Sequence, residues 1–140
     1  MGKMEILVDT DIIISTLKKT PDEKCISILR KIEENGIIGY ISVLTVFELY
    51  YGAYLSKNPD RNIKPVEELL TIFRIIDLST SICRHSGEVG AELRKKGIEI
   101  DFRDLLIGVT ALHSNLVLVT KNIKHFSRIK GLKIKTPENF

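Results

Sequence analysis

The apolar positions of the chain fall into short runs that alternate with longer amphipathic stretches. A short apolar run bounded by polar residues is typical of a buried strand, whereas apolar residues three or four apart indicate one face of a helix. The pattern predicts strands at residues 5–8, 37–42, 75–79, 116–120 and 132–136. It predicts helices at residues 12–18, 21–35, 44–56, 65–74, 80–96, 102–114 and 123–129, with Thr20 as a cap and a loop at 57–62.

Strands and helices alternate nearly throughout the chain, which is typical of an α/β fold with a mainly parallel sheet and right-handed crossovers. A chain of 140 residues suits one domain around one core, so we expect residues 1–140 to form a single domain. Ligands of such sheets bind beyond the carboxyl ends of the strands. Polar side chains that directly follow a strand are therefore the first candidates for chemistry.

Two carboxylates, Asp9 and Asp11, follow the first predicted strand in the stretch EILVDTDIIIS. One of them is expected to cap the helix that follows, because Asp is favoured at N-caps. The other needs a further reason, since a carboxylate beside a core costs free energy unless it is paired. Asp9 lies at the position where a doubly wound sheet binds its ligand.

Glu48 is the most unusual residue of the sequence, because it shares a helix face with Leu44, Tyr51 and Leu55. A carboxylate inside an apolar stripe needs a cation or hydrogen bonds to satisfy it. The alternative is a Glu at the edge of the core that reaches solvent or pairs with a Lys or Arg.

A second pair of carboxylates, Asp101 and Asp104, begins the predicted helix in IEIDFRDLLIGVTA. Asp101 has the position of an N-cap, and Asp104 also suits the positive end of the helix dipole. Gly108 and Ala111 share a face with Asp104, and small residues there let the helix pack closely against the sheet, which would carry Asp104 inward. Beyond the fourth strand, Thr120 and Asn122 supply further polar oxygens.

We therefore expect Asp9, Glu48, Asp104 and Asn122 to meet at one edge of the sheet. Clustered carboxylates repel one another unless a cation lies among them. Oxygen ligands without a nearby His or Cys favour a hard cation, Mg²⁺ or Mn²⁺. Such an ion can activate water and stabilise the charge of a phosphodiester transition state.

The charge distribution adds a possible substrate class. The net charge is only +3, but no acidic residue occurs from Lys121 to Pro137, where six residues are basic. A basic segment of this kind either neutralises phosphates of a nucleic acid or forms a solvated face.

Composition excludes several other classes of protein. Cys25 and Cys83 are isolated, so neither a zinc site nor a disulfide framework is expected, and both are predicted to fill the core. No apolar run approaches the about 20 residues of a membrane helix, and the N-terminus lacks a signal-peptide pattern. We expect a cytoplasmic protein that does not enter a membrane.

Four segments in order, which span nearly the whole chain, resemble the PIN domain family and specifically its VapC-type toxin ribonucleases. They are ILVDTDIII, SVLTVFELYYG, IDFRDLLIGVTAL and LVLVTKNIKHFSRIKGL. The resemblance implies a three-layer α/β/α fold around a five-stranded parallel sheet. It also implies an endoribonuclease that depends on Mg²⁺ or Mn²⁺.

The resemblance also implies roles for individual residues. Asp9, Glu48 and Asp104 match the family's acids, with Asp9 and Asp104 holding the principal metal and Glu48 as a further ligand or a base. Thr10 and Thr120 match supporting hydroxyl positions. Asn122 stands where the family often has Asp, which puts a second metal in doubt, and Asp101 or Asp11 could compensate.

By the same resemblance, the protein would be the toxin of a type II toxin–antitoxin pair and would form a homodimer. Its antitoxin would wrap the domain and block the acidic pocket. The face around Tyr50, Tyr51 and Tyr54 is a candidate contact surface, with ordinary core packing as the alternative.

Three other functions stay open at this point. A haloacid dehalogenase-like phosphatase shares the pattern of a strand followed by Asp-x-Asp, but VLVTKN offers no later acid pair. A PIN-like RNA-binding module with an impaired metal site would explain Asn122. A PIN ribonuclease of RNA maturation would have the same active site as a toxin. The RNA target, the antitoxin and the number of metals do not follow from the sequence.

Overall fold

A five-stranded parallel sheet forms the centre of the fold. The computed structural model describes residues 2–140. Its strands are β1 (Glu5–Val8), β2 (Ile38–Ser42), β3 (Arg74–Ile76), β4 (Val117–Val119) and β5 (Ile134–Lys135). They lie in the order β3-β2-β1-β4-β5, and each pairing is parallel. The prediction of a five-stranded, mainly parallel sheet is confirmed.

Seven α-helices connect and cover the strands within residues 2–140. They are α1 (Thr10–Leu17), α2 (Glu23–Glu33), α3 (Val43–Leu55), α4 (Pro59–Leu70), α5 (Thr80–Lys95), α6 (Phe102–His113) and α7 (Ile123–Phe126). A short 3-10 turn at Pro137–Asn139 ends the chain. None of the described helices is long and apolar enough to cross a membrane.

The side chains of β1 alternate between two cores, one on each face of the sheet, because successive residues of a strand point to opposite faces. Ile6 and Val8 belong to the core that α1, α2, α3 and α4 cover. Leu7 belongs to the core on the other face, with Ile107 of α6 and Phe126 of α7. This is the three-layer α/β/α architecture.

The strand order places the candidate chemistry at a switch point. From β1 the chain proceeds to β2 and β3 on one side of the sheet, and it later returns to β4 and β5 on the other. A crevice forms at the carboxyl ends of the strands where the order reverses. Asp9 directly follows β1 and Thr120 directly follows β4, so both lie at this crevice.

Three local predictions are wrong. Helix α4 begins at Pro59 and not at Pro65, which lies inside it, so the predicted loop at 57–62 is largely helical. Helix α2 begins later than predicted, and its cap is Asp22, whose side chain accepts a hydrogen bond from the Lys24 N–H. Cys25 is buried as predicted, whereas Cys83 is exposed.

Candidate active site

Asp9 is the most constrained carboxylate of the structure. It is only 3% exposed, and its backbone N–H donates to the carbonyl of Val119 over 3.0 Å, which ties the end of β1 to β4. The Thr120 hydroxyl donates to Asp9 Oδ2 over 2.8 Å. Asp9 occupies the N-cap position of α1, but its side chain makes no capping hydrogen bond. Its carboxylate therefore points to the crevice and not to the helix.

The surroundings of Asp9 resist its ionisation. The pKa of Asp9 is raised from 3.8 to about 6, mainly by burial; the negative charges of Asp11 and Asp104 contribute to this rise, and the hydrogen bond from Thr120 opposes it. Removing a carboxylate from water disfavours its charged form. A cation beside Asp9 would reverse this effect.

Asp104 faces Asp9 from the other layer of helices. It lies in the first turn of α6 and is 5% exposed. Its Oδ2 is 3.3 Å from Nδ1 of His125, and its Oδ1 is 3.9 Å from Nη2 of Arg103. The prediction that Asp104 points inward is confirmed.

The small residue Gly108 contributes to the packing of α6, but not against the sheet as we predicted. A Cβ at Gly108 would contact the side chain of Ile129 and would lie 3.2 Å from Phe126. The close approach is therefore between α6 and the segment that contains α7, which also carries His125.

Glu48 reaches the same region from α3. Its Oε1 accepts a hydrogen bond from the Thr10 hydroxyl over 2.8 Å, and Thr10 is itself 2.8 Å from the hydroxyl of Thr45. Its Oε2 accepts from Nη1 of Arg103, also over 2.8 Å. Burial raises the pKa of Glu48, whereas Thr10 and Arg103 lower it. Both alternatives for Glu48 hold in part, because it lies beside the acids and pairs with an arginine.

Asn122 lies at the crevice but contacts Asp11 and not Asp9. Its side-chain Nδ2 donates to Asp11 Oδ2 over 2.9 Å, and its backbone N–H donates to the Thr120 hydroxyl over 3.0 Å. Thr120 thus connects Asn122 to Asp9. Asp11 does not cap α1 with its side chain, contrary to the expectation that one of the two acids would do so.

Asp101 is a helix cap in the structure. Its carboxylate accepts a hydrogen bond from the Arg103 N–H over 2.8 Å, and the residue is exposed. This confirms the N-cap prediction and leaves Asp101 without a contact to the other acids.

Sequence reasoning missed two functional candidates, Arg103 and His125. Arg103 joins Glu48 to the neighbourhood of Asp104 across 55 residues of sequence, and a contact of that separation leaves no local pattern. Its position directly before Asp104 was the available signal. His125 lies in the basic segment from Lys121 to Pro137, and we did not consider it apart from the lysines and arginines there.

Some basic residues of the segment from Lys121 to Pro137 are paired with other groups, and others are exposed to solvent. Lys121 Nζ is 3.0 Å from Asp22 Oδ2, so this lysine joins the loop after β4 to the start of α2. Lys124, Lys130 and Lys133 of the segment are exposed, and the exposed Arg128 donates a hydrogen bond from Nη1 to the carbonyl oxygen of Glu99. The segment therefore combines a structural ion pair with a solvated basic face.

The donors at the crevice fit a hard cation in their chemistry. Asp9 and Asp104 are buried carboxylates whose charges act on each other, and the additional donors are oxygens of Glu48 and Asp11. Among residues 2–140, no three His, Cys, Asp or Glu side chains already form a metal cage. Arg103 supplies positive charge beside the acids, and Glu48 would have to leave Arg103 to become a third ligand.

Comparison with known proteins agrees with this fold. The sequence model of the PIN domain family matches residues 6–132. Ribonuclease VapC2 of Haemophilus influenzae is 35% identical over 93% of this chain and 96% of its own length. The tRNA(fMet)-specific endonuclease VapC of Salmonella typhimurium is 33% identical over 94% of this chain and 97% of its own.

A solved structure gives the same result. The crystal structure of VapBC2 from Rickettsia felis, bound to a promoter DNA fragment, contains a chain that superposes with a TM-score of 0.85. That chain is 33% identical, and the match covers 95% of this chain and 98% of that one. This chain belongs to the PIN domain family, and within it to the VapC ribonucleases. The resemblance stated from the sequence is confirmed, and the phosphatase alternative loses its basis.

Proposed function

We propose that this chain, as a single domain, is the toxin of a type II toxin–antitoxin pair and cleaves RNA in the cytoplasm with the help of Mg²⁺ or Mn²⁺. The observation that carries the proposal is the buried Asp9 at the carboxyl end of β1, with Asp104 and Asp11 as negative neighbours. A fold keeps such a costly arrangement when a cation completes it. The oxygen donors favour a hard divalent ion.

The roles of the residues follow from their contacts. Asp9 and Asp104 would hold the metal, with Glu48 as a further ligand or as the base. When bound, a divalent ion of this kind lowers the pKa of water and stabilises negative charge on the phosphate. The Thr120 hydroxyl fixes the rotamer of Asp9, and the Thr10 hydroxyl orients Glu48 Oε1.

The ion pair between Glu48 and Arg103 is the contact of the site that would separate during the reaction. Glu48 Oε2 is paired with Arg103 Nη1, so the carboxylate becomes available to accept a proton from an attacking water when this pair separates. The released guanidinium then carries a positive charge next to the scissile phosphate, where it stabilises charge that develops in the transition state. His125 beside Asp104 offers a second donor for the phosphate or the leaving oxygen.

The antitoxin is proposed to cover an apolar surface of α1, α3 and α4. Tyr51, Tyr54 and Leu55 are 56%, 63% and 69% exposed, whereas Tyr50 is half-buried against the core. A depression of about 330 Å³ beside them is lined by apolar residues such as Ile14 and Leu17 and reaches Glu48. A partner segment in this depression would end at the acids. The related Rickettsia felis structure is itself a VapBC2 complex.

A homodimer is also proposed, as the resemblance implies. Light scattering of the purified chain across a concentration series tests it. A mass that stays at the 15.9 kDa of one chain would contradict the dimer without affecting the nuclease.

The experiment that tests the nuclease is RNA cleavage by purified chain with Mn²⁺, with Mg²⁺ and with a chelator. Asp104→Asn serves as the site variant, and Asp60→Asn as the matched control, because Asp60 is an exposed acid in the first turn of α4. The expected result is metal-dependent cleavage that Asp104→Asn abolishes and Asp60→Asn retains. Cleavage that Asp104→Asn leaves unchanged would contradict the proposal.

A second candidate function is favoured by one observation. Asn122 replaces a potential acid ligand and uses its amide to bind Asp11, which reduces the negative charge available to a metal. An RNA-binding module without cleavage would result. It would bind RNA and Mn²⁺ in the same experiment but leave the RNA intact under each condition.

A further inference from the structure

A groove with a cavity volume of about 960 Å³ lies between α5 and the segment that leads into α6. One wall carries Gly87, Gly90 and Arg94 of α5, and the other carries Ile98–Phe102 together with Arg128. We refer to it as the α5 groove. Its volume is within the range of small-molecule and nucleotide sites. Of the acids considered above for the metal site, only Asp101, the cap of α6, lines the groove.

The α5 groove borders the active site. Phe102 and Leu105 of α6 line the groove, whereas Asp104 of the same turn belongs to the acids and Arg103 pairs with Glu48. The groove and the active site therefore share the first turn of α6. A phosphodiester held at Asp104 continues into neighbouring nucleotides, and the groove offers space for them on one side.

The Phe102 side chain is almost fully exposed, so packing in the core does not explain why an aromatic residue stands there. It is 81% exposed, more than the other large apolar side chains described as exposed. An aromatic ring at the rim of a groove offers a stacking platform, and each base has a face that can stack on it. A single-stranded nucleic acid is therefore a ligand that this position suits.

Two arginines, Arg94 and Arg128, line the groove. Arg128 Nη1 donates to the carbonyl oxygen of Glu99, which fixes the guanidinium at the groove wall. Arg94 lies in the last turn of α5, directly before Lys95 and Lys96. Asp101 also lines the groove, but its carboxylate accepts the Arg103 N–H as the helix cap. The groove carries two acidic residues, Glu99 and Asp101, beside its two arginines, so it suits one or two phosphates and not an extended polyanion.

The floor of the groove contains an unsatisfied polar group. The buried hydroxyl of Ser86 has no hydrogen-bond partner among residues 2–140. Buried polar groups are nearly always paired, so an unpaired one next to a cavity calls for an explanation. A Cβ added at Gly87, the next residue, would meet nothing within 4 Å, so space is open above this part of α5.

We propose that the α5 groove binds a single-stranded nucleotide that flanks the cleavage site, with its base on Phe102 and a phosphate at Arg94 or Arg128. This inference rests on the proposed function, because it assigns a subsite of the same RNA substrate. It differs from that function in naming residues outside the acidic crevice.

RNA binding under chelating conditions tests the subsite separately from cleavage. The probe is a short fluorescent single-stranded RNA of mixed sequence, followed by anisotropy. Phe102→Leu keeps the apolar bulk but removes the ring and is expected to weaken binding about tenfold, whereas Phe102→Tyr keeps wild-type affinity. Far-UV circular dichroism of both variants establishes that α6 is retained.

The arginine contact has its own readout. Arg128→Gln is expected to lower affinity and to reduce the slope of log affinity against log salt by about one. Arg61→Gln, at an exposed position of α4 on the other face of the sheet, is the control and keeps the wild-type slope. Gly87→Leu adds bulk to the groove wall from a position where a Cβ would meet nothing within 4 Å, and it is expected to weaken RNA binding while the melting temperature stays equal or rises.

The outcomes separate this inference from the proposed function. If wild type cleaves RNA but Phe102→Leu and Gly87→Leu bind the probe like wild type, the subsite is refuted and the nuclease stands. If wild type neither binds nor cleaves RNA, the proposed function fails and this inference fails with it. Weaker binding in both variants, with Phe102→Tyr unchanged, is the result the inference requires.

Discussion

Replacing Asp9 with Asn should stabilise the metal-free protein. The fold holds this carboxyl at 3% exposure, and burial and the charges of Asp11 and Asp104 raise its pKa from 3.8 to about 6. A carboxyl with a higher pKa in the folded state binds its proton more tightly there, so its ionisation at neutral pH disfavours the folded state. Asn carries no charge and can still accept the hydrogen bond from Thr120.

The size of the effect follows from the two pKa values of Asp9. The rise from 3.8 to about 6 corresponds to about 3 kcal/mol of unfolding free energy. This penalty is fully present above pH of about 6 and is absent below 3.8, so it disappears as the pH falls through that window. We expect Asp9→Asn to be more stable by up to about 3 kcal/mol at neutral pH, with a gain that shrinks on acidification.

Urea denaturation with a chelator, at neutral pH and again near the lower end of the window, measures the difference. A second series with Mn²⁺ should reverse the order, because the metal stabilises only the protein that binds it. Asp60→Asn, at an exposed position of α4, serves as the control and should change neither series.

The reasoning is refuted if Asp9→Asn is no more stable than wild type in chelator at neutral pH. It is also refuted if the two proteins differ by the same amount at both ends of the pH window. Either result would mean that ionisation of Asp9 does not destabilise the metal-free fold.

Three further substitutions probe the neighbours of the acids. Arg103→Gln removes the cation that competes for Glu48, so Mn²⁺ should bind about tenfold more tightly by calorimetry. Thr120→Val removes the hydrogen bond to Asp9 and should lower the unfolding free energy by about 2 kcal/mol in urea. Asn122→Asp places a second carboxylate against Asp11, so the melting temperature should fall in chelator and recover with Mn²⁺.

For each of these substitutions, one result would contradict the expected effect. Unchanged or weaker Mn²⁺ binding in Arg103→Gln would mean that the arginine does not compete with the metal. Wild-type stability of Thr120→Val would mean that water replaces the lost hydroxyl. A melting temperature of Asn122→Asp that Mn²⁺ does not restore would exclude this position from the metal site.

The order of strands and helices was predictable because each element carries its own local pattern. The buried run Glu5–Val8 and the amphipathic stretch Thr80–Lys95 needed no knowledge of their neighbours. The start of α4 was not predictable in this way, since Pro59 and Pro65 both suit the first turn of a helix. Only packing against α3 decides between them.

The acids of the site were predictable for a related reason. A carboxylate next to an apolar run conflicts with burial, and that conflict is visible in the sequence at Asp9, Glu48 and Asp104. Their partners were not visible, because Arg103 and His125 are ordinary exposed residues until the fold brings them to Glu48 and Asp104. Contacts between the two layers of helices form only in the tertiary structure, so no local sequence pattern predicts them.

The most direct test of the central claim is Mn²⁺ binding and RNA cleavage measured on the same preparations of wild type, Asp9→Asn and Asp104→Asn. Electron paramagnetic resonance gives the bound Mn²⁺, and single-turnover assays give the cleavage rate. The account predicts that both variants stay folded, lose tight Mn²⁺ binding and lose cleavage together. A folded variant of either residue that binds Mn²⁺ and cleaves RNA like wild type would contradict it.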